Sequence, residues 1–398
     1  MNVLYFDHNS TTPLLPEVAD AMHEAQRRGY VNPASQHQLG QRARRILEET
    51  RERILALLGG RTSGMDADRL LFTSGGTEAN NLALRGLAGV APRRVVVSAI
   101  EHPSVLAAAE YLQTQGYVVE RLPVRQRGDL ELNHLEAQLL GRDDRPAVVS
   151  VMLANNETGV IQPLAEVQKL CERGNIPLHT DAVQAITKLP VSFRDLGVAA
   201  ITVAPHKFHG PVGIGALVVR ANVKLEPQLF GGFQQEGLRP GTENISLAVG
   251  FLRALELAQQ DQTRYARLLA LRDQLRDALL AELDDVLINC QSAPRLPNTL
   301  NVAFLGLHRQ ELLLALDMTG VCCSTGSACA SGSSEPSPVL LAMGLEPARI
   351  ESSLRFSVGA TTSAAEVSEA ADRIIRTVKN LRSQQKTRKT PLSPRVGG

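Results

Sequence analysis

The stretch from Ala147 to Asp181, AVVSVMLANNETGVIQPLAEVQKLCERGNIPLHTD, decides the fold class of this chain. It begins with a short valine-rich run, continues through a helix-length segment at Leu164–Arg173, and ends in a second short run, IPLHT. Short β-branched runs are typical of buried strands, and a helix between two of them is typical of a parallel crossover. The stretch therefore predicts a strand, a helix and a second strand of one parallel sheet.

The same alternation extends outward from about Arg69 to Arg220. The further strand-like runs are LLFTS, RVVVSAI, YVVERLPV, AITVA and GIGALVVR, with helix-length segments at Thr77–Leu87 and Pro103–Gln115. Seven such runs predict an α/β domain with a mainly parallel seven-stranded sheet and helices on both faces. The last two runs are joined by PHKFHGPV, which is too short for a helical crossover, so we expect them to pair antiparallel.

The flanking segments predict a second, smaller α+β domain. An amphipathic helix is expected at Gln41–Leu58, and one long helical stretch at Glu243–Leu283. Short strands (VLINC, TLNVAFL, LRFSVG) and helices at Gln310–Met318 and Ala364–Arg382 follow. We assign residues 16–260 to the large domain and residues 1–15 with 261–383 to the small one. Residues 384–398 are polar and basic, and we expect a disordered tail there.

Composition excludes several classes of protein. The 398 residues carry a formal net charge of +1, which gives no reason to expect nucleic acid or a membrane surface as partner. No secretory signal and no membrane span are visible, and five cysteines are too few for a disulfide scaffold. We therefore expect a soluble cytoplasmic globular protein.

Polar residues follow five consecutive strand-like runs. They are Gly75–Asn81, then Glu101 and His102, then Asn155, Asn156 and Glu157, then Asp181 and Gln184, and finally His206 and Lys207. Ligands of open α/β sheets bind beyond the carboxyl ends of the strands, so these residues are expected to define one site.

Lys207 is the most informative of these residues. The chain has only seven lysines, and the other six, including Lys169 and Lys188, are expected on exposed helix or loop edges or in the C-terminal region. A partly buried amine after an apolar strand suits a nucleophile or Schiff-base former. A lysine extending from a strand end for purely structural reasons is the alternative.

The neighbouring residues fit pyridoxal phosphate (PLP). Asp181 is placed to pair with a protonated pyridine nitrogen, and the Gly–Gly–Thr at Gly75–Thr77 opens a helix whose N–H groups favour phosphate. His102 could stack on the ring, and Asn155 or Gln184 could bond its phenolic oxygen. Each feature also has an ordinary reading, as a plain helix start or a structural histidine.

Eight ordered motifs resemble the cysteine desulfurases of the NifS/IscS type, in the class V aminotransferase group of fold-type I PLP-dependent enzymes. They are FTSGGTEANN, AIEHPSVL, NNETG, HTDAVQ, HKFHGPVGIGAL, LRPGTEN, STGSACASGSSEPS and SLRFSVG. The segments DHNSTTP and NPASQHQLG match as well, so the likeness covers nearly the whole chain.

The resemblance implies a role for each matching residue. Lys207 would hold PLP, Asp181 would pair with the pyridine nitrogen, and His102 would stack and handle protons. Asn155 and Gln184 would flank the ring oxygen, while Gly76, Thr77 and His206 would hold the phosphate with Thr242 from the second subunit of a homodimer. Arg355 would clamp the substrate carboxylate, with Asn155 beside it. The family pattern Ser-Gly-His-Lys is Ala204-Pro205-His206-Lys207 here, so one phosphate-binding hydroxyl is missing.

The segment Val321–Val339, VCCSTGSACASGSSEPSPV, holds three of the five cysteines. Adjacent Cys322 and Cys323 suit neither zinc chelation nor an easy disulfide, and they are expected to pack at a strand. Cys329, among Gly, Ala and Ser, is expected to be a catalytic nucleophile on a flexible arm. Cys171 and Cys290 are expected to be core thiols.

The predicted reaction converts L-cysteine to L-alanine and leaves a persulfide on Cys329. The sulfur would pass to an acceptor protein such as an iron–sulfur scaffold or a thiolation protein. A selenocysteine lyase or another class V PLP lyase on the same fold is the nearest alternative. A nucleotide- or metal-binding sensor is the distant one, because the chain lacks a P-loop and a paired ligand motif.

Overall fold

The computed structural model describes residues 2–28, 31–142, 144–326 and 335–389. The strands in chain order are β1 Leu4–Tyr5, β2 Arg69–Thr73, β3 Arg94–Ser98, β4 Val118–Leu122, β5 Pro146–Ser150, β6 Leu178–Asp181, β7 Ala200–Val203, β8 Gly215–Val219, β9 Val286–Ile288, β10 Thr299–Phe304, β11 Val321–Cys322 and β12 Ser353–Ser357. The helices are α1 Pro16–Arg27, α2 Gln38–Leu57, α3 Gly76–Ala88, α4 Pro103–Thr114, α5 Leu132–Leu140, α6 Leu164–Arg173, α7 Phe193–Leu196, α8 Ile245–Gln260, α9 Arg264–Glu282, α10 Arg309–Met318, α11 Pro338–Ala342, α12 Pro347–Glu351 and α13 Ala364–Lys389.

The central sheet of the described residues has seven strands in the order β2-β8-β7-β6-β5-β3-β4. Strand β8 runs antiparallel to both of its neighbours, β2 and β7. The other pairs are parallel. The predicted fold class and the antiparallel pairing of the last two runs are therefore confirmed.

Both faces of this sheet are buried. In β3, Val95 and Val97 belong to one hydrophobic cluster and Val96 belongs to another, because successive side chains of a strand point to opposite faces. Helices α3 and α4 supply leucine and alanine side chains to the first cluster, and α2 and α8 supply them to the second. A sheet covered on both faces needs continuous apolar strands, which is what the valine-rich runs provide.

A separate hydrophobic cluster lies around the three-stranded antiparallel sheet β12-β10-β9. Leu4 and Phe6, from the start of the chain, are buried in it together with side chains of α9, α10 and α13. This cluster supports the assignment of residues 1–15 with 261–383 to one unit. Cys290 and Leu296 lie in the larger cluster instead, so the domain boundaries stay a prediction.

Two predicted elements differ from the structure. The stretch Glu243–Leu283 is not one helix but two, α8 and α9. Asp261 has φ −84° and ψ 77°, outside the helical region, and its carboxylate accepts a hydrogen bond from the Thr263 hydroxyl at 2.9 Å. Aspartate has a low helix propensity, which agrees with a break at this residue.

The second difference concerns the C-terminal tail. Helix α13 continues to Lys389, so residues 384–389, which were predicted to be disordered, are helical. Residues 390–398 lie outside the described part of the chain. Within the described residues no helix is long and apolar enough to cross a membrane.

Candidate active site

A cavity of about 200 Å³ lies beyond the carboxyl ends of strands β2, β3, β5, β6 and β7. It brings together most of the residues that the sequence predicts, namely Gly76, Thr77, His102, Asp181, Gln184, His206, Lys207 and Arg355. Asn9, Ser10, Asn80, Ser104 and Asn156 also line it. Asn9 and Ser10 come from the N-terminal segment, which lies far from these strands in sequence.

Lys207 ends a short 3₁₀ turn, Pro205–Lys207, that follows β7. Its Nζ donates hydrogen bonds to the backbone oxygens of Asn9 at 2.7 Å and Ser10 at 2.6 Å. The N-terminal segment therefore fixes the position of the amine at the edge of the cavity, in addition to the turn that carries it.

Asp181 is the last residue of β6 and is buried. Its carboxylate accepts two hydrogen bonds, from the backbone N–H of Val183 at 2.9 Å and from Asn80 Nδ2 at 2.7 Å. Both oxygens are thus held in place by donors, one from its own loop and one from α3. The sequence placed Asn80 in the glycine-rich motif but gave it no role of its own.

His102 caps the N-terminus of α4. Its Nδ1 accepts a hydrogen bond from the backbone N–H of Ser104 at 3.1 Å, and the Ser104 hydroxyl lies 2.7 Å from the same atom. Because a backbone N–H can only donate, Nδ1 carries no proton in this arrangement. Burial lowers the pKa of His102, an effect that Asp181 opposes and Lys207 increases, so the ring is neutral at pH 7.

His206 forms part of the opposite wall. Its Nδ1 lies 3.2 Å from the Thr11 hydroxyl. Burial, followed by the nearby Lys207 and Lys188, lowers the pKa of His206 to about 4. Ala204, where the family pattern has serine, also lines the cavity, so this wall lacks that hydroxyl.

Asn155 does not line the cavity, although the sequence places it there. Its side chain is fully buried, with Nδ2 donating to the backbone oxygen of Ile100 at 3.0 Å. Its Oδ1 accepts from the backbone N–H groups of Glu157 and Thr158, both at 2.9 Å. The amide holds the NNETG turn in shape, and the neighbouring Asn156 lines the cavity instead.

Arg355 lines the cavity, but its guanidinium already donates to groups of the protein. Nη2 donates to Asp7 Oδ1 at 2.5 Å and to Ser10 Oγ at 2.7 Å, and Nη1 donates to the backbone oxygens of Asn156 and Gly326. Only 1% of the residue is exposed, and Nε has no partner among the described residues. A substrate carboxylate would have to replace one of these contacts, so the clamp role stays a prediction.

Two buried ionisable residues near the cavity were not recognised from the sequence. Glu101 was noted only for its position; burial raises its pKa to about 8, and Asp181 adds to this shift while hydrogen bonds from Ser98 and Met152 oppose it. Lys188 was expected on an exposed edge, but it is 5% exposed and donates to Gln184 Oε1 at 2.9 Å. The position of Gln184 four residues earlier in the chain was the available signal for this contact.

Comparison with known proteins identifies the family. Residues 4–369 match the Aminotransferase class-V family. A cysteine desulfurase of Trichormus azollae is 41% identical over 387 residues, which are 96% of this chain and 94% of that protein. This chain belongs to the cysteine desulfurases of the class V aminotransferases. The resemblance stated from the motifs is thereby confirmed.

Solved structures share the fold of this chain. A structure described as a NifS-like protein has a TM-score of 0.86 at 32% identity and covers 95% of this chain and 100% of its own. The structure of SspA in complex with cysteine has a TM-score of 0.77 at 30% identity, covering 90% of this chain and 99% of its own.

Desulfurases of this class depend on PLP, and the residues of the cavity fit that cofactor. Gly75, the residue before α3, makes no side-chain cap, so the first N–H groups of the helix are available to a phosphate. At Gly76 a Cβ atom would lie 3.2 Å from Val183, which makes glycine the best fit beside a bound group. Lys207, Asp181 and His102 supply an amine, a carboxylate and an aromatic ring at the same cavity.

Two further desulfurase residues were predicted from the sequence, Cys329 and Thr242. Cys329 lies in residues 327–334, outside the described residues. Thr242 is exposed and does not line the cavity of its own chain. The other four cysteines are free thiols: Cys171 and Cys290 are buried, while Cys322 and Cys323 lie at and just after β11, as expected.

Proposed function

We propose that this chain is a cysteine desulfurase that converts L-cysteine to L-alanine and leaves the sulfur as a persulfide on Cys329. The observation that carries the proposal is the convergence of Lys207, Asp181 and His102 on one cavity at the start of an uncapped helix. An amine, a carboxylate and a neutral imidazole are the groups that PLP chemistry on an amino acid requires. The cysteine-bound structure of the related SspA supports L-cysteine as the substrate.

The residues of this chain would bind and orient the cofactor. When bound, PLP serves as the electron sink for the charge left by removal of the substrate Cα proton. Lys207 would attach the cofactor, and Asp181, already oriented by Asn80 and Val183, would hold the proton on the pyridine nitrogen. The helix N-terminus with Thr77 and His206 would hold the phosphate. The dipole contributes roughly 0.3–2 kcal/mol, so it orients the cofactor rather than binding it alone.

The imidazole ring of His102 would face the substrate and the cofactor. Its Nδ1 is engaged with Ser104, so the neutral ring carries its proton on Nε2. Any proton that His102 exchanges with substrate or thiol therefore passes through Nε2. Gln184, whose Nε2 keeps one N–H beyond its bond to Asn9, would donate to the ring oxygen of PLP.

Cys329 would receive the sulfur as a thiolate, since the thiol form is a poor nucleophile. In the overall reaction the C–S bond of L-cysteine breaks and an S–S bond forms on Cys329. The carbon that loses sulfur gains a proton, so L-alanine and an enzyme persulfide are the products and no external oxidant is needed. The persulfide sulfur would then pass to an acceptor such as an iron–sulfur scaffold or thiolation protein in the cytoplasm.

A second copy of the chain would complete the site. Phe230 and Phe233 are 87% and 96% exposed, and Leu229 beside them is 49% exposed. Three such apolar side chains in one short segment favour burial in an interface. Gly241, the residue before Thr242, donates to Gln234 Oε1 at 3.4 Å, so a homodimer that buries these side chains would also bring Thr242 to its partner.

The test uses purified protein with L-cysteine. Mass spectrometry after the reaction should find one added sulfur on the peptide that contains Cys329, together with an equal amount of alanine in a single turnover. Cys329→Ser should still bind PLP and L-cysteine but form no persulfide, because a hydroxyl is a poor nucleophile towards sulfur.

Cys322→Ser and Cys323→Ser are the matched controls. Burial raises the pKa of both thiols, so both should be poor nucleophiles and their variants should keep most activity. Sulfur found on Cys322 or Cys323 would contradict the assignment of Cys329. Sulfide release by Cys329→Ser equal to that of the wild type would instead indicate a lyase that uses no protein thiol.

A further inference from the structure

Lys188 is a buried lysine immediately behind the cavity. It is 5% exposed, and its Nζ donates a hydrogen bond to Gln184 Oε1 at 2.9 Å. Gln184 lines the cavity, whereas Lys188 does not. The amine thus contacts a residue of the site without reaching the space where a ligand would bind.

The surroundings of Lys188 make its burial unfavourable. Among the described residues it forms no ion pair, and the charged groups that act on it are Lys207, Arg264 and Arg355, all cationic. Burial, followed by these charges, lowers the pKa of Lys188 well below its ordinary value. An amine in this position weakens the fold compared with an apolar side chain of similar length, so its contact with Gln184 is the feature that calls for an explanation.

The contact fixes both ends of the Gln184 amide. Oε1 accepts from Lys188, while Nε2 donates to the backbone oxygen of Asn9 at 2.9 Å. The same Asn9 oxygen accepts from Lys207 Nζ at 2.7 Å. The hydrogen bonds therefore form one continuous chain through Lys188, Gln184, Asn9 and Lys207. The second N–H of Gln184 takes no part in this chain and is available to an acceptor on a bound ligand.

The backbone between the two residues is strained in a way that brings them together. Thr187, directly before Lys188, has φ +67°, a conformation that β-branched residues rarely adopt. The backbone N–H of Lys188 bonds to the oxygen of Ala185 at 3.0 Å, closing the turn. Strain of this kind persists where the surrounding structure requires it, and here it accompanies the placement of Lys188 against Gln184.

We propose that Lys188 is a positioning residue of the active site, which holds the Gln184 amide with its oxygen away from the cavity and its N–H as the donor to bound PLP. This role rests on the proposed function, since it assigns the acceptor to the cofactor. Without Lys188, Gln184 Oε1 would be buried with no partner, and the side chain would turn to satisfy it.

The test compares Lys188→Met with Lys188→Gln, Gln184→Ala and the double variant Lys188→Met with Gln184→Ala. The dissociation constant of PLP is measured by absorbance titration of cofactor-free protein, alongside the unfolding midpoint of the same samples and kcat/KM for alanine formation. Lys169→Met, the same substitution at an exposed lysine of α6, is the control and should equal the wild type in all three measurements.

Lys188→Met should weaken PLP binding and kcat/KM by roughly three- to tenfold, the effect of one buried hydrogen bond. Its unfolding midpoint should stay close to that of the wild type, because removal of a buried amine offsets the cost of the unpaired Gln184 oxygen. Lys188→Gln, which keeps a donor N–H, should recover part of the loss. In the Gln184→Ala background, Lys188→Met should have no additional effect, since Lys188 acts through that amide.

Three results would overturn the proposal: full PLP affinity in Lys188→Met, losses that multiply in the double variant, or a fall in the unfolding midpoint of Lys188→Met. The last would make Lys188 a structural residue. A wild type that binds no PLP would refute the proposed function and this role with it. If the wild type binds PLP and Lys188→Met binds it equally tightly, only the positioning role of Lys188 is refuted.

Discussion

Replacement of the Asp181 carboxylate by an amide separates the fold of the site from its chemistry. Asp181 accepts hydrogen bonds from Val183 N–H and Asn80 Nδ2. In Asp181→Asn the amide oxygen can keep the bond from Val183, but its NH₂ would face the NH₂ of Asn80. Asn80 can relieve this by rotating its amide, because its Oδ1 is buried and has no partner within the described part of the chain.

We therefore expect Asp181→Asn to change the stability of the protein only slightly and to lower kcat strongly. One hydrogen bond to a charged acceptor becomes a bond between neutral groups, a loss of about 1–2 kcal/mol. At roughly 2–4 °C per kcal/mol, the unfolding midpoint of cofactor-free protein should fall by only a few degrees. The neutral amide cannot hold the charge on the pyridine nitrogen, and loss of one such preorganised electrostatic group lowers kcat by about 10²–10³.

The assay measures PLP content by absorbance, kcat from alanine formation, and the unfolding midpoint of cofactor-free protein. PLP should remain bound in Asp181→Asn while kcat falls. Asp66→Asn, at an exposed carboxylate, is the matched control and should leave all three values unchanged. A kcat in Asp181→Asn equal to that of the wild type would refute the pairing of Asp181 with the cofactor.

Three further variants test other parts of the site. Lys207→Ala should abolish turnover and covalent attachment of PLP, and cofactor trapped on the variant by borohydride would rule out Lys207. For Glu101 the folded pKa of about 8 lies above the ordinary value of 4.5, so its contribution to stability falls as pH rises through this window. Urea unfolding at several pH values should show that the free energy of unfolding of Glu101→Gln lacks this fall. A difference in the free energy of unfolding between variant and wild type that stays constant from pH 5 to 8 would contradict the raised pKa of Glu101. Arg355→Met should lower the free energy of unfolding by about 3 kcal/mol or more, because it leaves Asp7 without its buried partner. An unchanged urea midpoint would show that this ion pair is weak.

Local patterns were sufficient for the large domain. The valine-rich runs around Val96 and Val149 predicted buried strands, and the segments between them predicted helices, because the periods of the two elements differ. The polar residues after those runs met at one cavity, since parallel strands end at the same edge of a sheet. Lys207 and Asp181 were found in this way without knowledge of any long-range contact.

Long-range contacts decided what the local patterns left open. Asn155 follows β5 much as Asp181 ends β6, yet its amide turns inward, where Nδ2 donates to the backbone oxygen of Ile100, 55 residues away in the chain. Arg355 is surrounded by Asp7, Ser10 and Gly326, which are distant in sequence from it or from one another. No periodicity predicts such neighbours, because each contact joins segments that are far apart in the chain.

The sequence by itself determined the order of strands and helices and the residue types at the edge of the sheet. Both follow from periodicity and from short-range chain geometry. The tertiary structure alone decided which polar side chains are buried and which hydrogen-bonding partners they have. Lys188 illustrates this, since a lysine on a short loop is ordinarily exposed, whereas here it is a buried amine bonded to Gln184, which is itself bonded to Asn9 of the N-terminal segment.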